Sequence, residues 1–243
     1  MSKLPRPDLP QFTTKIPSTG KEVKYRPFLV KEEKILLLAL EDGRWDNIMT
    51  ATTQILQNCL HDEVNIDKLT SYDVEWLFLQ IRSKSIGETT TLRFRHTKNK
   101  NRAGEECKHI QEVTVDLTDV ECIGNPAPGK IEISDKMGMQ MSYPTYKQTQ
   151  KINVNSGKGI DQIINTVAGC VDYIYDADNI YYAKDSTPKE IQEFLENLNK
   201  EQFSKIQEFF VNIPKLQKEI TYTCERCGET TVHKVKGLQS FFG

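Results

Sequence analysis

The chain has 243 residues, of which 37% are hydrophobic and 27% are charged, a composition typical of globular proteins. Its 32 basic and 34 acidic residues give a net charge of −2, so it lacks the overall positive charge that is typical of nucleic-acid-binding proteins. No stretch approaches the roughly 18 apolar residues of a membrane helix, and the N-terminus has no run of signal-peptide character. We therefore expect a protein made and kept in a cytoplasm, with its six cysteines as free thiols or metal ligands.

The first third of the chain predicts an extended arm followed by a strand and helices. Residues 1–15 contain three of the ten prolines and little periodicity, as in an extended arm. Turn residues at 17–20 precede an alternating strand, and the run ILLLAL then predicts a helix whose second half is nearly all buried. Helical spacing recurs twice more before Gly87, so we expect residues 16–88 to form a strand and a helical cluster.

The remaining chain predicts two hairpin regions separated by helices. From Thr89 the hydrophobic period is two, which predicts a β-hairpin region over 89–145 in which three alternating methionines pack into a core. A helical region over 146–215 contains a linker at 147–158, a helix continuing to Val171 and a short strand at 180–182. Residues 216–243 then form a hairpin around a cysteine pair. The predicted fold class is α+β, a helical cluster with antiparallel β-hairpins.

The most specific chemical motif is Cys224-Glu225-Arg226-Cys227-Gly228, which lies between two predicted strands. A C-x-x-C-G turn directs two thiolates toward one point, as in half of a zinc-ribbon site. The same pair also occurs in thioredoxin-like redox motifs, but those begin a helix, whereas strand-forming residues follow here. Structural zinc needs four ligands, so the motif by itself predicts only half of a metal site.

The first hairpin of the β region resembles the C-terminal one and offers the missing ligands. His96 enters its tip, and Cys107 and His109 leave it before the next strand. If the two hairpins face each other, Cys107 with either His96 or His109 would complete a site with Cys224 and Cys227. We predict one structural zinc ion in a zinc-ribbon-like knuckle, with Cys107, His109, Cys224 and Cys227 as ligands and His96 as the alternative to His109. A β-hairpin without a metal ion is the competing interpretation.

Four segments resemble one protein family in their order along the chain. They are IPSTGKEVKYRPFLVKEEKILLLALE, SYDVEWLFLQIRSKSIGE, IEISDKMGMQMSYP and CERCGETTVHKVKGLQSFF. Together they resemble the baseplate hub subunits of T-even-type contractile-tailed bacteriophages, from about Ile16 to the end of the chain. Members of that family tend to carry paired cysteines at both hairpins, whereas this sequence has His96, Cys107 and His109 at the first.

The resemblance implies a structural or assembly component of the tail baseplate hub, without catalysis. Its expected partners are other baseplate hub and tail proteins, with no membrane, nucleic-acid or small-molecule partner. Its expected location is the virion tail baseplate after synthesis in the host cytoplasm. The alternative is a zinc-ribbon nucleic-acid-binding regulator whose basic tip carries Lys98, Lys100, Arg102 and Lys108. A redox enzyme that uses Cys224 and Cys227 ranks third.

Overall fold

The computed structural model describes residues 8–96, 107–124, 129–149 and 160–241. Residues 1–7 of the predicted arm, residues 97–106 of the first hairpin tip and residues 150–158 of the predicted linker lie outside this description. The described part of that linker, residues 147–149, is helical, so the prediction of a loop is wrong there. The described residues combine α-helices with antiparallel sheets, which confirms the predicted α+β class.

The α-helices with both ends among the described residues are α1 (Val30–Asp42), α2 (Trp45–Cys59), α3 (Ser71–Ile86), α4 (Ile160–Ala168), α5 (Pro188–Glu196) and α6 (Lys200–Val211). Short 3-10 helices span Ile66–Lys68, Ala183–Asp185 and Leu238–Phe241. The strands are β1 (Phe12–Lys15), β2 (Glu22–Tyr25), β3 (Thr89–Arg95), β4 (Ile110–Asp116), β5 (Glu121–Ile123), β6 (Lys130–Ser134), β7 (Met137–Met141), β8 (Val171–Tyr175), β9 (Ile180–Tyr182), β10 (Lys215–Thr223) and β11 (Thr230–Lys236).

The strand pairs among the described residues are all antiparallel. Strands β1 and β2 form one hairpin, and β3 and β4 form another. A three-stranded sheet has the order β11-β10-β5, and a four-stranded sheet has the order β6-β7-β8-β9. The part of the predicted arm that is described therefore ends in a strand, because residues 12–15 pair with β2.

The first core forms where β2 and helices α1 to α3 meet. Its fully buried members include Val23, Ile55 and Leu77. Helix α3 begins at a capping box, in which Asp73 donates its N–H to the Thr70 hydroxyl while the Asp73 carboxylate accepts from Thr70. This cap fixes where the helix starts and therefore which of its side chains face the core.

The prediction that the second half of α1 is nearly all buried is wrong. Leu36 and Ala39 are buried, but Leu37, Leu38 and Leu40 are 53%, 55% and 42% exposed. The helix packs along one face against α2, so leucines outside that face remain in contact with solvent. They leave apolar side chains exposed on the outer side of α1.

The second core lies between one face of the four-stranded sheet and helices α4 to α6. Met139 and Met141 are 0% and 2% exposed in it, which confirms the predicted core packing of the alternating methionines. The prediction that helix α4 continues to Val171 is wrong, because the helix ends at Ala168 and Val171 begins β8. Turn hydrogen bonds at Gly169 and Cys170 end the helix and allow the chain to enter the sheet.

The third core joins the β3–β4 hairpin to the β10–β11 hairpin. Its buried residues include Leu92 and Val115 of the first hairpin, Leu216 and Val235 of the second, and Leu79 of α3. This packing brings together the ends of the two hairpins from which the cysteine and histidine motifs extend. Within the described ranges, no helix has both the length and the apolar character needed to cross a membrane.

Candidate metal centre

Four metal-ligating side chains meet at the joined ends of the two hairpins. The ligand atoms of His96, Cys107, Cys224 and Cys227 all lie within 4.8 Å of one another. The Sγ atoms of Cys107 and Cys224 are 3.8 Å apart, and Cys227 Sγ is 3.2 Å from His96 Nδ1. Each hairpin thus supplies two of the four side chains.

The first hairpin positions His96 by extending its ladder one residue beyond β3. The backbone N–H of His96 donates to the carbonyl oxygen of His109 at 2.8 Å. His96 continues the inward alternation of Leu92 and Phe94, so its imidazole is only 1% exposed. The backbone N–H of His109 donates to the sulfur of Cys107, which curves the chain around that sulfur.

The second hairpin ends in a tight turn that encloses the Cys224 sulfur. The N–H of Cys224 donates to the Glu229 carbonyl at 2.9 Å, and the N–H of Gly228 donates to the Cys224 carbonyl at 2.8 Å. Gly228 has a φ of +74°, which a residue without a Cβ adopts at little cost. The backbone N–H groups of Arg226 and Cys227 point at the Cys224 sulfur, as expected around a thiolate.

Lys108 adopts an unusual backbone conformation beside the first-hairpin cysteine. Its φ is +50°, and among the described residues it is the only non-glycine residue with a positive φ. Such a conformation is uncommon for a side chain without a short polar group, and strained residues of this kind concentrate at functional sites. Here the conformation allows the N–H of the next residue to reach the Cys107 sulfur.

A polar contact outside the cluster joins the two hairpins. Gln111 is 8% exposed, and its Oε1 accepts the backbone N–H of Glu225 at 3.0 Å. Its Nε2 donates to Glu225 Oε1 at 3.1 Å. Sequence reasoning missed Gln111, although its inward position in the alternation of β4 was a usable signal. The contact orients the C-x-x-C turn relative to the first hairpin.

The pKa values of Cys107 and Cys224, one from each hairpin, are shifted in opposite directions. Burial raises the pKa of the Cys224 thiol, but N–H donors from Cys227 and Arg226 and hydrogen bonds from neighbouring thiols outweigh burial and leave that pKa below its ordinary value. At Cys107 the His109 N–H acts to lower the pKa, yet burial and the sulfurs of Cys227 and Cys224 leave it above the ordinary value. The shifts are opposite because the cysteines share hydrogen bonds that favour the thiolate at Cys224 and the protonated thiol at Cys107.

His96 has one ring nitrogen inside the cluster and one outside it. Nε2 is buried without a hydrogen-bond partner in the described part of the chain, and the nearest carboxylate oxygen, Glu229 Oε2, is 3.7 Å away. If Nδ1 binds a metal, Nε2 must carry the proton and face this carboxylate. A carboxylate behind a ligating histidine is a common outer arrangement at zinc sites.

The donor set fits zinc better than a redox disulfide. Tetrahedral zinc with Zn–S bonds of about 2.3 Å places its sulfurs about 3.8 Å apart, and this is the separation between Cys107 and Cys224. All six cysteines are free thiols, and this separation far exceeds the roughly 2.05 Å of a disulfide bond. Three cysteines and one histidine fill four positions, which is the composition of a closed structural zinc site.

Three of the four side chains predicted as ligands come together in the structure. They are Cys107, Cys224 and Cys227. The histidine that joins them is His96, which the sequence offered as the alternative, while His109 is outside the group. Of the four cations predicted at the tip, only Lys108 belongs to the described residues; Lys98, Lys100 and Arg102 lie outside them.

Comparison with known proteins identifies one family. The family model described as "T4 bacteriophage base plate protein" matches residues 9–243. No curated protein and no solved structure matches the chain. The family match covers all four segments from which the resemblance was drawn, both hairpins and the whole cysteine-histidine cluster.

Proposed function

This chain belongs to the T4 bacteriophage base plate protein family, and we propose that within the baseplate it acts in the hub, as a hub subunit or as a factor in hub assembly. The family match across residues 9–243 is the observation that carries a structural role in a phage tail baseplate. The four segments typical of hub subunits support the narrower assignment to the hub. The protein acts through contacts with other baseplate and tail proteins.

The proposed role involves no catalysis. The three cysteines and the histidine of the cluster make up a closed set of four ligands. A closed site has no open coordination position for a substrate. The exposed leucines of α1, Leu37, Leu38 and Leu40, are instead suited to protein contacts.

One zinc ion held by His96, Cys107, Cys224 and Cys227 joins the two hairpins in this proposal. When bound, such an ion contributes to folding and carries out no reaction. The residues around it support this function, because Gln111 and Glu225 fix the relative position of the hairpins while the backbone N–H groups direct the sulfurs inward. The metal would therefore hold the two hairpins together.

The hub assignment is tested by affinity purification of the tagged protein from phage-infected cells, followed by cross-linking mass spectrometry. We expect cross-links to hub and tail proteins. Recovery with nucleic acid or host regulators, and with no tail protein, would favour the zinc-ribbon regulator. In that case salt-dependent DNA binding should be lost when Lys98, Lys100, Arg102 and Lys108 are replaced.

The zinc site is tested separately by metal analysis and X-ray absorption spectroscopy of the purified protein. We expect one zinc per chain with three sulfur ligands and one nitrogen ligand. The Cys227→Ser variant should lose the metal, whereas Cys122→Ser, which changes a half-buried cysteine in β5 outside the cluster, should retain it. Folded protein with reduced thiols and no metal would contradict the proposal.

A further inference from the structure

The outer strand of the four-stranded sheet is an unusually apolar edge. Strand β9 consists of Ile180, Tyr181 and Tyr182, and β8 is its neighbour on one side only among the described residues. These side chains are 54%, 51% and 46% exposed. None of the three is charged, although charged residues are the usual means by which a protein prevents an edge strand from pairing with another chain.

The opposite edge of the same sheet is protected in the usual way. Strand β6 carries Lys130 and Glu132 on its exposed positions. Lys205 Nζ also donates to the Glu132 carbonyl oxygen at 3.0 Å, which occupies part of that edge. The β6 edge therefore carries charged side chains, which the three residues of β9 lack.

The hydrogen-bond pattern of the β8–β9 hairpin shows which backbone groups are available. The N–H of Asp176 donates to the Asn179 carbonyl at 3.0 Å, so these two residues form a hydrogen-bonded pair. Because hydrogen-bonded and non-hydrogen-bonded pairs alternate along an antiparallel ladder, Ile180 and Tyr182 direct their backbone groups away from β8. The Tyr182 carbonyl accepts from Ser186 Oγ at 3.2 Å and retains a second lone pair.

We propose that β9 pairs antiparallel with β9 of a second copy of this chain, about a two-fold axis at Tyr181. In that register Ile180 of one copy lies opposite Tyr182 of the other, and each such pair exchanges two backbone hydrogen bonds. Each pair also places an aromatic ring beside a β-branched side chain, which is a favourable cross-strand combination. The two four-stranded sheets become one sheet of eight strands.

The charges that flank β9 favour a second copy over an unrelated strand. Asp178 lies three residues before the axis and Lys184 three residues after it, and both are exposed. An antiparallel two-fold arrangement brings the Asp178 end of each copy to the Lys184 end of the other. Asp176 adds negative charge at the first end, while Asp185 reduces the positive charge at the second. The edge is thus self-complementary in hydrogen bonding and in the placement of Asp178 opposite Lys184.

The dimer should be weak because the paired segment is short. Three residues a side bury far less than the roughly 1,200 Å² of a stable interface. Sedimentation equilibrium of the full chain over a range of concentrations should therefore show a reversible monomer–dimer equilibrium. The proposed β9 pairing does not depend on the proposed role in the baseplate. An experiment that contradicts either proposal therefore leaves the other unaffected.

Charge exchange provides the sharpest test. Asp178→Lys and Lys184→Asp should each raise the dimer Kd about tenfold, because two attractions become repulsions. The double variant should restore the original Kd, since each lysine again faces an aspartate. A protein that stays monomeric at its highest soluble concentration would overturn the proposal. A double variant whose dimer Kd is no lower than that of the single variants would also overturn it.

A backbone variant tests the hydrogen bonds. Tyr182 has a φ of −76°, which proline adopts readily, and its N–H points away from β8. Tyr182→Pro should therefore abolish dimerisation while leaving the circular dichroism spectrum unchanged. The control Tyr182→Ala also removes the ring but keeps the N–H, so it should retain part of the dimer. Equal dimerisation by both variants would overturn the proposed register.

Discussion

Cys107 Sγ lies 3.8 Å from Cys224 Sγ although 117 positions separate the two residues in the chain. Their approach depends on the third core, in which the β3–β4 and β10–β11 hairpins pack together, and on the Gln111–Glu225 contact. A metal ion at this point would link two distant parts of the chain. Its loss should therefore loosen the junction between the hairpins first.

The first prediction identifies the fourth ligand. His96→Ala should lose the bound zinc, because His96 Nδ1 is 3.2 Å from Cys227 Sγ inside the cluster. His109→Ala should retain it, since the His109 side chain is outside the group and its contacts to His96 and Cys107 come from the backbone. Zinc content per chain and the shift of the unfolding temperature on adding a chelator measure both effects. Zinc loss in His109→Ala alone would reverse the assignment.

The cluster was only partly predictable from sequence. The spacing of Cys224 and Cys227 implies one tight turn, and local backbone geometry then brings both sulfurs together. Cys107 was found through the likeness of the two hairpins. The choice between His96 and His109 depends on how the chain curves around the Cys107 sulfur, where Lys108 takes a positive φ. Spacing alone does not encode that curvature.

In the fold, too, the sequence predicted local structure better than contacts between distant parts of the chain. Hydrophobic periodicity predicted the helices and hairpins, because it reflects which face of an element is apolar. It does not reveal whether a neighbour covers that face, so the exposure of Leu37, Leu38 and Leu40 was missed. The sequence analysis did not predict strand β8. One reason is that its first residue, Val171, also fits the helical spacing of α4.

The second prediction concerns a buried ion pair beside α1. Glu32 is 0% exposed, and its carboxylate accepts from Arg26 Nη2 at 3.1 Å and from the Leu29 N–H at 2.9 Å. Glu32→Gln leaves the Arg26 charge unpaired and should cost about 3 kcal/mol at neutral pH in urea unfolding. Glu33→Gln, at the exposed neighbouring position, should change stability by less than about 0.5 kcal/mol.

The stabilisation from this ion pair should depend on pH. Burial raises the pKa of Glu32, but hydrogen bonds from Arg26 and Leu29 outweigh it and leave the pKa below its ordinary value. The stabilisation is therefore present above the ordinary glutamate pKa of about 4.3 and is lost as pH falls through the lower folded value. The difference between wild type and Glu32→Gln should shrink in acid. A difference that stays constant with pH would show that the carboxylate charge has no part in it.

The third prediction concerns Asp73, which connects the first turn of the chain to α3. Its carboxylate accepts the Ser18 N–H at 2.8 Å and the Thr70 N–H at 3.1 Å, and the residue is 0% exposed. Asp73→Ala leaves both donors without this partner and should cost about 2 to 3 kcal/mol. Hydrogen exchange at the Ser18 amide should accelerate as well. Asp46→Ala, which removes an exposed acid from the first turn of α2, should cost no more than about 1 kcal/mol and leave Ser18 protected.

The last prediction tests the close packing of the four-stranded sheet at Gly138. A Cβ at this position would lie 2.6 Å from the Ile131 carbonyl oxygen and would also collide with the hydroxyl of Tyr175. The carbonyl belongs to the neighbouring strand β6, so it cannot move aside without disturbing the β6–β7 ladder. Gly138→Ala should therefore cost about 1 to 3 kcal/mol in urea unfolding.

Gly169 provides the matched glycine control for this test. The nearest atoms to a Cβ there are 3.5 Å away, which is an ordinary contact, and its backbone φ lies outside the range that disfavours side chains. Gly169→Ala should be neutral or should stabilise the fold by about 0.4 to 1 kcal/mol, because alanine reduces the entropy of the unfolded chain. Equal losses in both variants would indicate that glycine flexibility, rather than close packing at Gly138, determines stability in this sheet.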